Sequence, residues 1–413
     1  MKIAFDLRPL QIGHQNRGIG AYILNLLQQL PNEANTTFIF LRYNTSNPIT
    51  DFGIGEGRNY IDVVVKKKGF SRHPVKLLSY AFSNLVPDFS KVLRHRPDVF
   101  LQCDYLLGAP RSRRCKVITV SYDLIPFKLK EIYLPSWKKY FGYRQIRYRS
   151  RVRLMLHAWF YDKKYKNGLR LLKRSARIIS ISENTTKDLV EVGGIKKSSI
   201  ATIYPAASFR SEAQDNTIRE DIKNLVDSTK TPYIAYVGAT DRRRQVDELI
   251  HAFNLYNAYQ KPIGLLLGGN EFSANSKSLN PAAKKAITTS SYKDNIHMLG
   301  RITEAEKRYI LEHAAVFIYP TTYEGFGLPI LEAMDAGCPV ITYNNSSIPE
   351  IAGKAALYTK AEGGYEIYQT LNTLLEDDQL QATLRKQGNL QAKKFDWADS
   401  VSQIWSEISK FQR

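Results

Sequence analysis

The stretch of residues 316–343 constrains the fold of this chain more than any other part of the sequence. It opens with a short apolar run, Val316–Tyr319, and closes with another, Val340–Tyr343. Between these runs, Pro329 suits the first position of a helix and Gly337 suits the left-handed position that follows a helix end. The order strand, loop, helix, strand is typical of a parallel α/β unit.

Two carboxylates frame the loop and the helix of this stretch. Glu324 stands in a glycine-containing loop, and Glu332 lies one turn inside the helix. The amides of Gly327 and Leu328 open the helix at the carboxyl end of a strand, where open α/β sheets bind phosphates. Two acids placed there can hydrogen-bond sugar hydroxyls on either side of a diphosphate, which indicates a nucleotide-sugar site. Because Glu324 lies in a loop, we expect its replacement by glutamine to leave folding intact.

Apolar runs alternate with amphipathic stretches along the chain, which predicts an α/β fold. The predicted strands are residues 2–7, 38–42, 61–65, 99–102, 117–122, 177–181, 201–204, 233–237, 263–267, 296–299, 316–319 and 340–343. The predicted helices include residues 21–30, 246–259, 304–314 and 398–411, and Thr303 and Glu306 form a capping box before the third of these. A polar stretch near residues 206–230 separates two such runs. We therefore predict two doubly wound Rossmann-like domains, 1–205 and 206–397, facing a central cleft.

Several further motifs follow one another in a recognisable order. They are Arg17-Gly18-Ile19-Gly20-Ala21-Tyr22, Asp123-Leu124-Ile125-Pro126, Ile181-Ser182-Glu183, Tyr236-Val237-Gly238, Ser347-Ile348-Pro349-Glu350 and Phe395-Asp396-Trp397. With Glu324 and Glu332, they resemble the retaining GT-B glycosyltransferases of family 4, in particular bacterial O-antigen and polymannan mannosyltransferases. The resemblance spans nearly the whole chain except about residues 130–175. It implies that the terminal helix, 398–413, returns to the first domain.

The resemblance also implies roles for the residues around the helix start. Glu324 is expected to contact the donor sugar, and Glu332 the ribose. The amides of Gly327 and Leu328 would hold the diphosphate, and backbone near Arg301 would bind the base.

The loop from Gly238 to Gln245 is strongly cationic. Its three consecutive arginines precede a predicted helix, although acids are favoured at helix starts. A diphosphate would neutralise Arg243 and Arg244, whereas a solvated basic turn is the plain alternative. Related enzymes usually hold lysine where Arg244 stands, and many hold arginine where Ala239 stands. The residue that supplies the second cation is therefore open.

A glycine-containing loop, residues 13–20, joins the first predicted strand to the first helix. Gly18 and Gly20 would let the backbone approach a ligand closely. With Arg17 they are predicted to form a cleft wall facing the donor phosphates or the acceptor, and a plain tight turn is the alternative. His14 is equally well explained as a solvated loop histidine.

Tyr122 and Asp123 stand where many relatives carry His-Asp beside the transferred sugar. A tyrosine donates one hydrogen bond to a hydroxyl but does not act as a base near neutral pH. In the front-face mechanism proposed for the family, the leaving phosphate accepts the proton of the acceptor. Tyr122 and Asp123 are therefore expected to line the sugar pocket. The missing histidine also favours the alternative of a catalytically inactive assembly partner.

The net charge of +20 is concentrated in residues 128–177, which hold 16 Lys and Arg against Glu131 and Asp162. The same segment is rich in aromatic residues: Trp137, Tyr140, Phe141, Tyr143, Tyr148, Trp159, Phe160, Tyr161 and Tyr165. This composition predicts docking on an anionic membrane surface, which a lipid-linked acceptor requires. Single-stranded nucleic acid and a solvated basic helical pair are the alternatives, but no nucleic-acid module accompanies the segment.

The composition and motifs also indicate the cellular compartment and whether a cofactor is expected. The three cysteines, Cys103, Cys115 and Cys338, are scattered and read as reduced thiols of a cytosolic protein. No apolar run approaches the length of a membrane span, and the amino terminus carries no signal-peptide pattern. There is no Asp-x-Asp motif and no His/Cys cluster with ligand spacing, so neither a metal nor another cofactor is expected.

The sequence thus predicts a metal-independent, retaining hexosyltransferase in cell-surface polysaccharide synthesis. It would act in the cytoplasm at the inner face of the membrane, moving a hexose from a nucleotide diphosphate sugar to a glycan or lipid-linked acceptor. GDP-mannose is the favoured donor through the resemblance alone. A retaining phosphorylase would need a pyridoxal-phosphate lysine site, and no lysine stands in a recognisable one.

Overall fold

The protein is described by a computed structural model that covers residues 1–12, 18–31, 35–44, 59–66, 88–134, 136, 148–207, 217–228, 231–274 and 276–412, with the backbone alone at 148–153 and 228. The chain divides into two compact units. The first comprises Met1–Pro205 together with Trp397–Arg413, and the second comprises Ala206–Asp396.

The first unit is built on a seven-stranded parallel sheet with the order β3-β2-β1-β4-β5-β6-β7. Its strands are β1 Lys2–Asp6, β2 Thr37–Tyr43, β3 Tyr60–Val65, β4 Val99–Gln102, β5 Lys116–Ser121, β6 Arg177–Ser180 and β7 Ile200–Thr202. Phe5 of β1 lies opposite Leu101 of β4, so the strand order reverses between these two strands. The central strands β1, β2 and β4 are almost wholly buried, as expected for a parallel sheet covered on both faces.

The second unit is built on a six-stranded parallel sheet with the order β10-β9-β8-β11-β12-β13. Its strands are β8 Tyr233–Val237, β9 Gly264–Gly268, β10 Ile296–Gly300, β11 Val316–Tyr319, β12 Val340–Thr342 and β13 Leu357–Tyr358. Here the order reverses between β8 and β11, where Ala235 lies opposite Phe317. Ligands bind open α/β sheets at the carboxyl ends of the strands beside such a reversal.

The helices cover the sheets between successive strands. The described ones are α1 Gly18–Gln28, α2 Ser90–Leu93, α3 Ile125–Lys128, α4 Lys130–Tyr133, α5 Tyr148–Leu172, α6 Glu183–Glu191, α7 Glu220–Ser228, α8 Val246–Tyr259, α9 Pro281–Thr289, α10 Glu304–His313, α11 Leu328–Asp335, α12 Ile348–Ala352, α13 Gly364–Leu375, α14 Asp378–Ala392 and α15 Trp397–Ser409. The capping box is confirmed, because the Thr303 hydroxyl accepts the Glu306 amide at 3.1 Å and the Glu306 carboxylate accepts the Thr303 amide at 2.8 Å.

The predicted α/β class and all the predicted strands are confirmed, with ends that differ by two residues at most. Strand β13 was missed because a two-residue strand carries no periodic pattern. The prediction that three arginines stand at the start of a helix, where acids are favoured, was wrong. Residues Arg242–Arg244 form a separate 3-10 turn, and α8 begins after Gln245 with two acids, Asp247 and Glu248, in its first turn. Similarly, Pro329 is the second residue of α11 and not the first, because Gly327 is the cap.

Helix α15 packs on the first unit through contacts with residues far away in the sequence. The Nε of Arg177 donates to Oε2 of Glu407 at 2.7 Å, and the ring of Trp397 meets the edge of Tyr22 at 5.2 Å. The Ser400 hydroxyl donates to the carbonyl of Tyr204. An ion pair, a ring contact and a hydrogen bond therefore attach this terminal helix to the first sheet.

Candidate active site

The two loops that follow β8 and β11 contain most of the predicted site residues of the second unit. The strands are neighbours at the reversal of strand order, and both loops leave their carboxyl ends. The backbone joins the loops as well, since the Thr322 amide donates to the carbonyl of Arg243 at 2.8 Å. The structure thus brings the arginine loop and the Glu324 loop together at the place where such sheets bind ligands.

Glu324 is buried, with 7% of its surface exposed. Its Oε1 accepts hydrogen bonds from Nη1 of Arg243, from the Tyr319 hydroxyl at 2.9 Å and from the Thr321 hydroxyl at 3.2 Å. Its second oxygen, Oε2, accepts no hydrogen bond from the residues that the structure describes. Half of this carboxylate is therefore fixed by the protein, and the other half is available to a ligand.

The surroundings keep Glu324 ionised. Burial by itself raises the pKa of this carboxyl, but the charges of Arg243 and Arg244 and the bonds from Arg243 and Tyr319 outweigh burial and hold the pKa below its usual value. At neutral pH the side chain is therefore a carboxylate that accepts hydrogen bonds and donates none.

Two serines hold the backbone of the Glu324 loop. The Glu324 amide donates to the Ser346 hydroxyl at 2.9 Å. The Ser347 hydroxyl lies within hydrogen-bond distance of two loop carbonyls, those of Glu324 at 3.0 Å and of Phe326 at 2.7 Å. Ser347 belongs to a motif that the sequence already marked, but Ser346 carried no signal, because its contact crosses from the turn after β12 to the loop after β11.

Arg244 lies over the ring of Tyr319, the last residue of strand β11. Its guanidinium carbon is 5.3 Å from the centre of the Tyr319 ring, and its Nε is 3.4 Å from Oε1 of Glu324. That Nε is buried and donates no hydrogen bond within the described part of the chain. A side chain at Gly238 would bring a Cβ within 2.6 Å of Nη1 of Arg244, so the glycine makes room for the arginine. Arg244 is thus a half-buried cation over an aromatic ring, at the reversal of strand order.

The start of helix α11 lies directly after Glu324. Gly327 caps the helix with a φ of 114°, a conformation that favours glycine, and Leu328 is the first helical residue. Their amides make no hydrogen bond to the described residues. The predicted phosphate-binding amides are therefore unoccupied donors next to a carboxylate and a half-buried arginine.

Glu332 faces the neighbouring helix α10. It is 5% exposed, and its Oε1 lies 2.8 Å from Nζ of Lys307, which also lies 2.7 Å from Oε2 of Glu304. Burial raises the pKa of Glu332 to about 7, with the nearby Glu304 charge adding to the rise and the Lys307 charge opposing it. The sequence analysis did not identify Lys307, because it is 25 positions from its partner and belongs to no recognised motif.

The region of Arg301, predicted to meet the base, is braced from another element. Arg219 donates two hydrogen bonds here: its Nη2 donates to the carbonyl of Arg301 at 3.3 Å, and its Nε donates to Glu306 at 2.8 Å. The Arg301 side chain is exposed. Its contact with a base stays a prediction.

Tyr122 and Asp123 of the first unit directly follow the carboxyl end of strand β5. The Tyr122 ring meets the edge of Tyr22 at 5.3 Å, and its hydroxyl is buried without a partner among the described residues. Burial raises the pKa of Tyr122, so the phenol stays neutral. Asp123 accepts a hydrogen bond at 2.9 Å from the amide of Ile125, the first residue of helix α3. The expected place of Tyr122 and Asp123 beside a sugar stays a prediction.

The glycine loop of the first unit is only partly described. Gly18 is the first residue of α1, and Gly20 is buried within its first turn. Arg17 and His14 lie outside the described residues. Likewise, among the basic segment's aromatics, Trp137, Tyr140, Phe141 and Tyr143 lie outside them.

The described part of the basic segment is mainly helix α5. Four large apolar side chains on this helix are exposed: Leu154, Leu156, Trp159 and Tyr161. The Lys163 ammonium lies 6.0 Å from the centre of the Trp159 ring. Across the described chain, no helix combines the length and the apolarity needed to cross a bilayer.

Comparison with known proteins decides the class of the second unit. The family model described as "Glycosyl transferases group 1" matches residues 217–391. Residues 217–391 belong to this glycosyltransferase family. The reversal between β8 and β11, the loops after these two strands and helix α11 all lie within the matched residues.

Similar proteins of known class extend over most of the chain. The serotype-specific mannosyltransferase WbdA of Escherichia coli is 24% identical over 82% of this chain, which spans about 38% of the length of WbdA. The O-antigen chain mannosyltransferase B of Escherichia coli is 23% identical, with 98% of each chain covered. The structure of Anabaena HepE in complex with UDP-glucose has a TM-score of 0.69 at 15% identity, covering 99% of this chain and 100% of the HepE chain. The predicted GT-B fold, with two Rossmann-like α/β domains, is confirmed.

Proposed function

We propose that this chain is a retaining glycosyltransferase of cell-surface polysaccharide synthesis. It transfers a hexose from a nucleotide diphosphate sugar to a glycan or a lipid-linked acceptor. The observation that carries the proposal is Glu324, a buried carboxylate with one oxygen fixed by Arg243 and the other free of described partners. A free carboxylate oxygen beside unoccupied helix amides and a stacked arginine suits a ligand that combines hydroxyls with a diphosphate.

The roles follow from these positions. Oε2 of Glu324 accepts a hydrogen bond from a hydroxyl of the donor sugar, and the amides of Gly327 and Leu328 donate hydrogen bonds to the diphosphate. Arg244 stabilises the negative charge that grows on the leaving nucleotide, because a fixed cation in a buried site needs little reorganisation during the reaction. Arg243 orients Glu324 and keeps it ionised.

The donor is proposed to be GDP-mannose. Relatives along most of the chain are named mannosyltransferases of O-antigen synthesis, which supports mannose as the hexose. HepE, which shares the fold, is seen with UDP-glucose, so the fold also accommodates a uridine donor. Guanine and uracil present different edges to backbone near Arg301, and a direct binding comparison separates them.

We further propose transfer with retention of configuration and without a divalent metal. The cationic loop and the start of α11 together supply the positive potential that a metal would otherwise bring to the diphosphate. The acceptor proton leaves to the phosphate of the departing nucleotide, so no protein base is required and Tyr122 can replace a histidine.

The basic segment is proposed to bind an anionic membrane surface. On helix α5 a tryptophan, a tyrosine and two leucines are exposed alongside lysines, the combination that suits the headgroup level of a bilayer. Such docking brings a lipid-linked acceptor to the enzyme.

A panel of nucleotide sugars in a thermal-shift assay tests the donor assignment. A ligand present at 100 times its Kd stabilises the folded state by about 2.7 kcal/mol. We expect the largest shift with GDP-mannose and a loss of the shift in Arg244→Met. An equal lack of response to GDP-mannose, UDP-glucose and UDP-galactose would contradict a donor site. Binding without any transfer or donor hydrolysis would instead favour the inactive assembly partner.

A further inference from the structure

Lys307 is a buried cation placed between two carboxylates of different exposure. Its Nζ is 2.8 Å from Glu332 on helix α11 and 2.7 Å from Glu304 on its own helix α10. The Glu332 side chain is 7% exposed, whereas that of Glu304 is 41% exposed. The ammonium of Lys307 therefore contacts a buried carboxylate, Glu332, and a partly exposed carboxylate, Glu304, at the same time.

The arrangement leaves Glu332 half prepared for a ligand. Its Oε1 is paired with Lys307, while Oε2 accepts no hydrogen bond from the described residues. Ribose hydroxyls donate well to a carboxylate, whereas a protonated carboxyl presents a competing donor. Nucleotide recognition by Glu332 thus requires that the side chain be charged and that Oε2 stay free.

We propose that Lys307 is a positioning residue that holds Glu332 as an oriented carboxylate for the hydroxyls of the donor ribose, and that Glu304 weakens this hold by competing for the same ammonium. The inference rests on the proposed function, because it gives Glu332 a nucleotide to bind. It adds a pair of residues on α10 that the sequence motifs did not mark.

The charges that surround Glu332 support a titration near neutrality. Burial raises the pKa of Glu332 to about 7, Lys307 lowers it, and Glu304 and Asp335 raise it. Other charged groups on the helices packed against α11 have partners of their own or are exposed. Arg385 donates to the carbonyls of Gly337 and Ala314, Glu306 pairs with Arg219, and Arg308 pairs with Glu312. Glu350 has another partner, and Asp378 and Lys386 are exposed.

Two substitutions should shift the Glu332 titration in opposite directions. Lys307→Met removes the opposing cation, so the pKa of Glu332 rises and the carboxylate form is scarce at pH 7. Glu304→Gln frees the ammonium for Glu332 alone, so the pKa falls. A merely structural role of Lys307 would weaken folding in one or both variants but would not produce opposite shifts.

Two measurements test the proposal. Carboxyl-carbon NMR of the full chain labelled at glutamate, with the Glu332 signal identified by its loss in Glu332→Gln, follows the protonation of Glu332 without any ligand. Calorimetric titration with GDP and with UDP between pH 5.5 and 9 follows nucleotide affinity. The control is Arg308→Met, which breaks an exposed ion pair on the same helix.

We expect the Glu332 midpoint to rise in Lys307→Met, to fall in Glu304→Gln and to stay in place in Arg308→Met. Nucleotide affinity at pH 7 should drop about fivefold in Lys307→Met if the pKa of Glu332 rises by about one unit, because the carboxylate fraction then falls from about one half to about one tenth. It should recover toward pH 9. Unmoved midpoints overturn the control of Glu332 by Lys307. If Lys307→Met proves unstable, Glu304→Gln still provides the test, because the Glu304 side chain is 41% exposed.

The outcome also separates this inference from the proposed function. If neither GDP nor UDP binds the wild-type chain at any pH, the proposed function is wrong. If a nucleotide binds but its affinity does not follow the Glu332 midpoint, the function stands and the role of Lys307 in recognition is overturned.

Discussion

The guanidinium of Arg244 stacks on the ring of Tyr319, with its carbon 5.3 Å from the ring centre. Tyr319 in turn donates its hydroxyl to Glu324 at 2.9 Å. One aromatic residue at the end of β11 therefore fixes both a cation and a carboxylate of the candidate active site. Because a lysine lacks the planar guanidinium of arginine, we expect it to replace the contact of Arg244 with this ring only in part.

Arg244→Lys should weaken nucleotide binding while leaving the net charge unchanged. The loss of the stacked contact should cost about 0.5–2 kcal/mol, which corresponds to a roughly 2- to 30-fold higher Kd. Calorimetry with GDP measures the change. Arg242→Lys is the matched control, since Arg242 is exposed in the same turn and its replacement should leave the Kd unaltered. An unchanged Kd in Arg244→Lys would show that only the charge at position 244 matters, and an equal loss in both variants would show that the effect is not specific to Arg244.

Tyr319→Phe should move the acid side of the pH profile. The hydroxyl bond helps hold the pKa of Glu324 low, so its loss raises that pKa and activity falls off at a higher pH when the solution is acidified. At neutral pH the carboxylate persists and the rate should change little through this effect. Tyr233→Phe, which removes a buried hydroxyl bond to the carbonyl of Ile310, is the control. Identical pH profiles for wild type and Tyr319→Phe would contradict the role given to this bond.

Parts of the candidate site whose residues are close together in the sequence could be predicted, whereas contacts between residues far apart in the sequence could not. Glu324, Gly327 and Glu332 lie within one stretch, and the strand, loop and helix around them were predicted from local patterns. The expectation that Glu324 has no role in folding was not supported, because it is buried and paired with Arg243, 81 positions away. Its loss should cost about 1–3 kcal/mol of stability, as for other buried hydrogen-bonded groups.

The direction of a side chain was equally beyond the sequence. The Tyr122 hydroxyl is buried beside the Tyr22 ring, and the expected place of Tyr122 in the sugar pocket stays a prediction. Local patterns place residue 122 at the end of a strand, whereas the rotamer is set by packing against a helix 100 positions earlier. The pairing of Lys307 with Glu332 could not be predicted from the sequence for the same reason, because the contact forms only when helices α10 and α11 pack together.

Activity should not depend on a divalent metal. Arg244 and the amides at the start of α11 supply the positive potential for the diphosphate, so excess EDTA should leave the transfer rate within about twofold, a change of less than about 0.5 kcal/mol in the barrier. The control is a second sample in which Mg²⁺ or Mn²⁺ is added back. Loss of activity in EDTA that either metal restores would refute this prediction.

The basic segment should bind vesicles that contain anionic lipid. Each Lys or Arg near such a surface contributes about 1 kcal/mol, and added salt screens the attraction. Replacing Arg147, Arg149, Arg151 and Arg153 with serine should lower co-sedimentation while donor hydrolysis is retained. Four exposed lysines of the second unit, Lys284, Lys285, Lys293 and Lys386, replaced with serine give a control of equal charge loss. Equal sedimentation of both variants would exclude specific docking, and retention on oligonucleotides would favour nucleic acid.

Turnover of the Glu324→Gln variant tests the central claim most directly. Glutamine has the same shape but lacks the charge that faces the donor sugar, and the loss of one fixed polar contact in a buried site should lower kcat at least about 100-fold. The assay is transfer and hydrolysis of GDP-mannose and UDP-glucose, well below the melting temperature of the variant, with Glu312→Gln as an exposed control. The account predicts measurable wild-type turnover, a near-complete loss in Glu324→Gln and an unchanged rate in Glu312→Gln. Near-normal turnover of a folded Glu324→Gln protein would contradict it.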